Sequence, residues 1–255
     1  MTLRPPAALG ALLGAAIIAL MAPAAAQQTL ETPRSAFKGV DPEGNWSAAV
    51  TRTDRGHLLG NPEAETRLIE FVSYTCSHCA SFAMEGDPAI DLTLLMRGRM
   101  AVEVRPVIRN AIDLTVTLLA QCGDPAGFKD RHRAFMFSQS EWMAKLQNAP
   151  QTQQAIWARP DKASRMNAAS ALGLADMLVQ RGQPIAEVNA CVTNDLAAQK
   201  IIDAGSADRT DFPIQGTPSF ALDGKLLADV HNWAALYPVL SARFAAAPDG
   251  APASP

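Results

Sequence analysis

The chain has 255 residues, with 22 Lys and Arg against 25 Asp and Glu, a net charge of −3 and 48% hydrophobic content. That balance is ordinary for a globular protein, and without a basic cluster it gives nucleic-acid binding no support. Cys occurs 4 times, an even set whose meaning depends on the compartment.

The compartment is read from the first residues. Arg4 supplies a positive start, Ala7 to Met21 an uncharged apolar run too short for a bilayer span, and Ala24-Ala25-Ala26 a small-residue cleavage signal. Residues 1–26 therefore read as a secretory signal peptide cut before Gln27, with an uncleaved N-terminal anchor as the alternative. Export to an oxidising compartment follows from the first of these. Residues 27–43 are a polar, Pro-containing lead without periodicity. A first strand is predicted over Trp46–Arg52, a turn-rich link over Gly56–Pro62, and a central buried strand over Arg67–Ser73. Helical spacing over Ala80–Met84 is expected to break at Gly86-Asp87-Pro88 and to resume over Ala89–Met96. Met100–Val104 returns as a strand, ended by Arg105-Pro106.

From 110 to 205 the pattern is helical throughout, punctuated by Gly123-Asp124-Pro125, Asn148-Ala149-Pro150, Arg159-Pro160 and Gly182-Gln183-Pro184. Phe128, His132 and Phe135 share one face, which makes His132 a core histidine; Trp142 and Trp157 read as core of the same block. His57 and His231 carry no usable signal. Pro218–Leu222 has strand character, Asp223-Gly224 is a hairpin turn, and Lys225–Val230 is its partner strand. Trp233–Phe244 closes the pattern as a helix, and 245–255 is an Ala/Pro tail expected to be disordered. This order argues for an α/β fold with a small central sheet, built from 44–109 and 206–244 around a helical insertion at 110–205.

The chemistry concentrates at Cys76-Ser77-His78-Cys79, directly after the apolar run Leu68 to Val72 and at the start of a helix. A Cys at a helix N-terminus meets unpaired main-chain N–H groups and the positive end of the helix dipole, and both stabilise a thiolate. Only the thiolate attacks disulfides, and a stabilised thiolate is also a good leaving group, so this placement reads as a redox site. His78 can add a third stabilising contribution or can simply face solvent. Glu70 interrupts an apolar strand. Buried beneath the site it would hold a raised pKa and exchange a proton with Cys79; turned to an edge it would do neither. Cys122 and Cys191 lie on inward faces of predicted helices, as a bridged pair or as two buried thiols. A structural zinc site lacks its ligands, because only His78 lies near the pair, and covalent haem attachment needs a His where Ala80 stands.

Glu70, Cys76-Ser77-His78-Cys79, the lead-in His57-Leu58-Leu59-Gly60-Asn61-Pro62 and Gly216-Thr217-Pro218-Ser219-Phe220 before a hairpin together resemble the exported DsbA-like thiol-disulfide oxidoreductases over residues 44–244. The resemblance implies a thioredoxin-like fold with an inserted all-helical domain. It implies Cys76 as the exposed nucleophile, Cys79 as its buried partner, and a cis Thr217-Pro218 peptide that packs opposite Cys76 and lets the Thr217 main chain pair with an extended substrate. Ser77 stands where oxidants of the family commonly carry Pro. The implied activity is the oxidation of newly exported, unfolded or reduced proteins by a monomer that needs no cofactor beyond its own dithiol. A quinone-linked membrane protein would reset it. A reductase or isomerase keeps the same site with the opposite flow of electrons, although isomerases of the superfamily usually carry an additional N-terminal oligomerisation region. A non-catalytic, chaperone-like binding module is the reading from another class.

Overall fold

The computed structural model describes residues 44–245. The expected signal peptide, the lead over 27–43 and the tail from 246 onward lie outside the described residues. Strands β1 (Val50–Arg52), β2 (His57–Gly60), β3 (Thr66–Val72), β4 (Met100–Pro106), β5 (Ser219–Leu222) and β6 (Lys225–Leu226) form one sheet of order β1-β2-β4-β3-β5-β6. β3 runs parallel to β4 and antiparallel to β5, so it is central and flanked on both edges. Its alternation divides the core. Leu68 and Val72 face the large cluster with Cys79 and Phe82, while Ile69 and Phe71 meet Val107 and Ala221 on the other side.

The parallel β3–β4 pair needs a crossover, and α1 (Ser77–Ile90) provides it. The segment Gly86-Asp87-Pro88 does not break this helix. Pro88 lies on the exposed side with Met84, whose carbonyl loses its helical donor where water can replace it. A π-helical turn over Asp91–Leu95 then ends the crossover. Gly56–Pro62 is also not a link. His57, Leu58, Leu59 and Gly60 are all buried, and they pair with β4 on one side and β1 on the other. A four-residue run with two Leu and a fully buried His is strand by burial, and the flanking Gly and Pro only mark its ends.

The helical block consists of α2 (Ala111–Ala120), α3 (Phe128–Phe137), α4 (Gln139–Asn148), α5 (Gln151–Trp157), α6 (Lys162–Ala171), α7 (Leu174–Val179), α8 (Ile185–Val192) and α9 (Asp195–Asp211). α9 continues past 205 and brings Asp208 to the sheet, where it accepts from Arg55 (2.9 Å) and Arg105 (2.7 Å). Arg105 also pairs with Glu103 of β4 at 2.8 Å. The expected boundary at 205 therefore falls inside a helix that is pinned to the sheet by ions. At the C-terminal end, Asp223 (φ 48) and Gly224 (φ 81) make the hairpin turn, but β6 is only two residues long. α10 (Trp233–Ala245) returns Leu236 and Leu240 to the large cluster. None of the described helices is long and apolar enough to cross a membrane.

Cys122, just beyond α2, and Cys191 on α8 form a disulfide with Cα atoms 5.6 Å apart. The bond closes a separation of 69 residues, for which loop entropy gives stabilisation on the order of 4 kcal/mol. Replacing both cysteines by Ala is expected to lower the unfolding free energy by about 2–5 kcal/mol, measured by urea unfolding of the two proteins with Cys76 and Cys79 in the same redox state.

Candidate redox site

β3 delivers the chain at Val72 to a short loop, Ser73–Thr75, and Cys76 is the N-cap residue of α1 with an extended backbone (φ −95, ψ 117). Cys76 and Cys79 are both reduced, not bonded to each other. The Cys76 thiol donates to the carbonyl of Thr217 at 3.0 Å. It makes no cap hydrogen bond as a thiol, but on ionising its sulfur becomes the missing helix cap. The pKa falls to about 4 because the Cys79 thiol donates to it, with further donation from Thr217 and the main-chain N–H groups of Cys79 and His78, against a smaller penalty from burial. Thr217 Oγ1 is buried without another hydrogen-bond partner, so the thiolate is a partner it gains.

Cys79 goes the other way. It is fully buried, and burial first, then the neighbouring Cys76 sulfur, push its pKa well above that of a free thiol. The main-chain N–H of Ser73 is its near donor at 3.5 Å. Glu70, expected either beneath the site or at an edge, is beneath it. The carboxyl sits on central β3, 1% exposed, on the α1 side of the sheet. Burial and the facing Asp87 raise its pKa well above the carboxylate range.

Two expectations change. Against the expected exposed sulfur, the Cys76 residue is only 6% exposed, and the Thr217 carbonyl lies 3.0 Å from its Sγ. His78 faces solvent, and what reaches the sulfur from this residue is its main-chain N–H rather than its imidazole. The Thr217–Pro218 peptide is cis. Behind it, His231 Nδ1 is 2.8 Å from the Pro218 carbonyl, a role that nothing in the sequence pattern suggested.

Sequence reasoning also missed the two residues that hold the loop. Asp113 of α2 is fully buried; its Oδ1 accepts from Ser73 Oγ at 2.8 Å and from the Thr75 N–H at 2.9 Å, and its Oδ2 accepts from the Arg109 N–H at 3.0 Å. Gln139 of α4 donates through Nε2 to the carbonyls of Tyr74 (2.7 Å) and Cys76 (2.8 Å). Asn110-x-x-Asp113 has capping-box spacing, and Asn110 does cap α2 through the Asp113 N–H, so Asp113 had a signal. Gln139 had none: it is a polar residue at a helix start whose burial comes from tertiary packing alone. His132 is core, 2% exposed, with Nδ1 2.9 Å from the Tyr74 hydroxyl. Trp142 and Trp157 are buried in the insertion.

A cleft of about 510 Å³ opens beside Thr75, lined by Arg109, Asn110, Met143, Leu146 and Trp157. A second, of about 860 Å³, lies within the insertion between α3, α4 and α7, away from the Cys pair. Among the described residues, no group of three or more His, Cys, Asp or Glu is placed to hold a metal ion. The chemistry open to this site is thiol–disulfide exchange through one ready thiolate and one protonated thiol.

Comparison with known proteins agrees with that geometry. The family model described as Thioredoxin matches residues 52–242. The crystal structure of a protein-disulfide isomerase from Novosphingobium aromaticivorans is 39% identical, covers 74% of this chain and 97% of its own, and superposes with a TM-score of 0.71. That of Wolbachia pipientis alpha-DsbA1 is 20% identical, covers 74% of this chain and 90% of its own with a TM-score of 0.56, and bears on the fold alone. A Rickettsia felis protein provisionally named a protein-disulfide oxidoreductase is 26% identical over 172 residues, 67% of this chain. A Rickettsia conorii protein with a similar name is 30% identical over 90 residues, 35% of this chain. The chain spans 54% and 32% of the length of these two curated relatives.

Two outcomes follow from the geometry. Thiolate absorbance of the reduced protein, with the oxidised protein as blank, should titrate at a pH of about 4, and Cys76→Ser should remove that transition. The stability of the reduced form relative to the disulfide form should also depend on pH. A depressed folded-state pKa contributes stability that is complete above the unfolded thiol's value of about 8.5 and is lost as pH falls toward 4. Urea unfolding of both forms at pH 5 and pH 8 should therefore show the reduced form gaining on the oxidised one at the higher pH.

Proposed function

The chain belongs to the thioredoxin family, and from that premise we propose that it is a DsbA-type protein thiol–disulfide oxidoreductase working as a dithiol oxidase on exported proteins. The observation that carries this reading is the split between the two sulfurs: Cys76 is held as a thiolate with a pKa of about 4, and Cys79 is held as a thiol.

A client thiolate attacks Cys76 Sγ of the disulfide form, and the electron pair of the broken bond passes to Cys79 Sγ, which is protonated. A second client thiolate attacks the client sulfur of the mixed disulfide and expels Cys76 as its stabilised thiolate. The client loses two electrons and two protons; Cys79 keeps one proton and solvent takes the other. A thiolate already formed at pH 7, compared with a thiol of ordinary pKa, favours the reduced protein by on the order of 4 kcal/mol, about 90 mV in a two-electron couple. Electrons therefore run toward the protein, which must be reoxidised, and a quinone-linked membrane protein fits that need. The carbonyl of Thr217, beside the cis peptide, is placed to pair with an extended client strand. The exported, periplasmic setting rests on the signal-peptide pattern of residues 1–26 together with this chemistry, and a monomer suffices for it.

The 39% identical isomerase favours a second reading, in which reduced Cys76 attacks non-native disulfides and rearranges them. Two assays separate the readings. The oxidised protein should convert a reduced, unfolded client to its disulfide form stoichiometrically, and its potential against glutathione should be less negative than the roughly −270 mV of thioredoxin. A thioredoxin-like potential, with reactivation of a scrambled client by the reduced protein, would instead establish the isomerase or reductase. Client binding and refolding by Cys76→Ser equal to those of the parent would point to a non-catalytic chaperone.

A further inference from the structure

Between the sheet, α1 and α3 lies a cavity of about 20 Å³. Its wall combines aliphatic side chains with the polar groups of Glu70, Asp87 and His132 and with the cations Lys129 and Arg133. A buried water needs about 10–15 Å³ and two to four polar partners, so the space holds one water if those partners are free. They are. His132 Nε2 is buried and has no hydrogen-bond partner, while Nδ1 is committed to Tyr74. Asp87 Oδ2 is 4.0 Å from His132 Nε2, too far for a direct hydrogen bond. The Glu70 carboxyl makes no hydrogen bond to another protein group among the described residues. The nearby cations are engaged elsewhere: Lys129 with Asp91 (2.5 Å) and the Ser47 carbonyl, and Arg133 with Asp91 (3.2 Å).

We propose that one water in this cavity joins Glu70 to Asp87 and His132, and that Asp87 is the outlet through which protons used at Cys79 exchange with solvent. The proposal rests on the reading of Cys76 and Cys79 as an exchanging pair and adds the path of the proton. Only one end of the path reaches outside. The Asp87 side chain is 17% exposed, whereas Glu70 is 1% exposed. When the Cys76–Cys79 bond breaks and its electron pair moves to Cys79 Sγ, Glu70 supplies the proton. The water passes a proton from Asp87 to the Glu70 carboxylate, and Asp87 takes one from solvent. Reoxidation runs the same steps backward, so no other reactant is needed.

The charges around the path suit it. Burial raises Asp87 to about 7, with Arg133 and Lys129 pulling it down and Asp91 adding to the rise. Glu70 stands well above its ordinary value, partly because Asp87 faces it. His132 falls to about 4 through burial and Arg133, so near neutral pH it is an uncharged ring able to hydrogen-bond the water rather than an ionic partner of Asp87. The buried phenol of Tyr74 is pushed upward and stays protonated. The innermost group thus keeps its proton while the outer one trades its own with solvent.

The test is rapid-mixing reduction of the oxidised full chain by dithiothreitol from pH 5 to 9, with rates divided by the dithiothreitol thiolate concentration. The parent, Asp87→Asn, Glu70→Gln and the double variant are compared. The parent's corrected rate should fall with rising pH as Glu70 empties. Asp87→Asn removes the facing charge, so the midpoint of that fall should move to lower pH, with a lower corrected rate than the parent's on the alkaline side. Glu70→Gln, alone or in the double variant, should abolish the fall. Reduction-induced infrared difference spectra of the parent should also contain an internal-water O–H band that shifts in water labelled with oxygen-18, and Asp87→Leu should remove it. Superimposable profiles for parent and Asp87→Asn, or a parent without the isotope-sensitive band, would overturn the relay. A parent that does not react through Cys76 at all would overturn the exchange reading beneath it. The infrared measurement needs no variant, so a poorly folding Asp87→Asn leaves the proposal testable.

Discussion

The arrangement depends on one constraint: the sulfur of Cys76 must sit where a helix N-terminus lacks its cap. Every donor that draws its pKa down is fixed by something larger. The His78 and Cys79 N–H groups belong to α1, Thr217 is placed by the loop before β5, and the Cys79 thiol is held one turn away in the core. Because these donors are fixed before charge appears, ionisation reorganises little, and the thiolate is favoured even though the residue is nearly covered.

Fixing the donors requires fixing the loop that brings Cys76 to them. Ser73, Tyr74 and Thr75 have no regular partners of their own, and a buried loop with unpaired polar groups is costly. Asp113 and Gln139 take that load, one from α2 and the other from α4. Both are buried polar residues with their hydrogen bonds made, so they contribute position rather than chemistry. The opposite face of the sheet is fixed in another way, by the ion network of Arg55, Arg105, Glu103 and Asp208 that ties α9 to β4. The sheet thus carries an ion network beside β4 on one face and, on the other, the Glu70 carboxyl of β3 without a hydrogen bond to another described protein group.

Much of this was legible in the sequence where the signal is local. Cys76-x-x-Cys79 after an apolar run, the Asp223-Gly224 turn, and the even Cys count each follow from chemistry within a few residues. The misreadings have physical causes. Gly86-Asp87-Pro88 looks like a breaker because propensity ignores which side of the helix Pro88 faces; on the solvent side the loss is one carbonyl that water can serve. Gly56–Pro62 looks like a link because its two end residues speak louder than His57-Leu58-Leu59, whose burial is conferred by β1 and β4. Glu70 could be placed beneath the site only by knowing that β3 is flanked on both sides, and Gln139 and His231 act across distances that no periodicity reports.

The contact from Gln139 to the Cys76 carbonyl has a consequence for how small such a protein could be made. An excised sheet-and-α1 core would retain both sulfurs and the proline loop, yet it would shed the amide that clamps Tyr74 and Cys76 and the carboxylate that anchors Ser73 and Thr75. The helical block is thus less an accessory lid than a vice on the reactive backbone, and miniaturisation would have to rebuild its jaws.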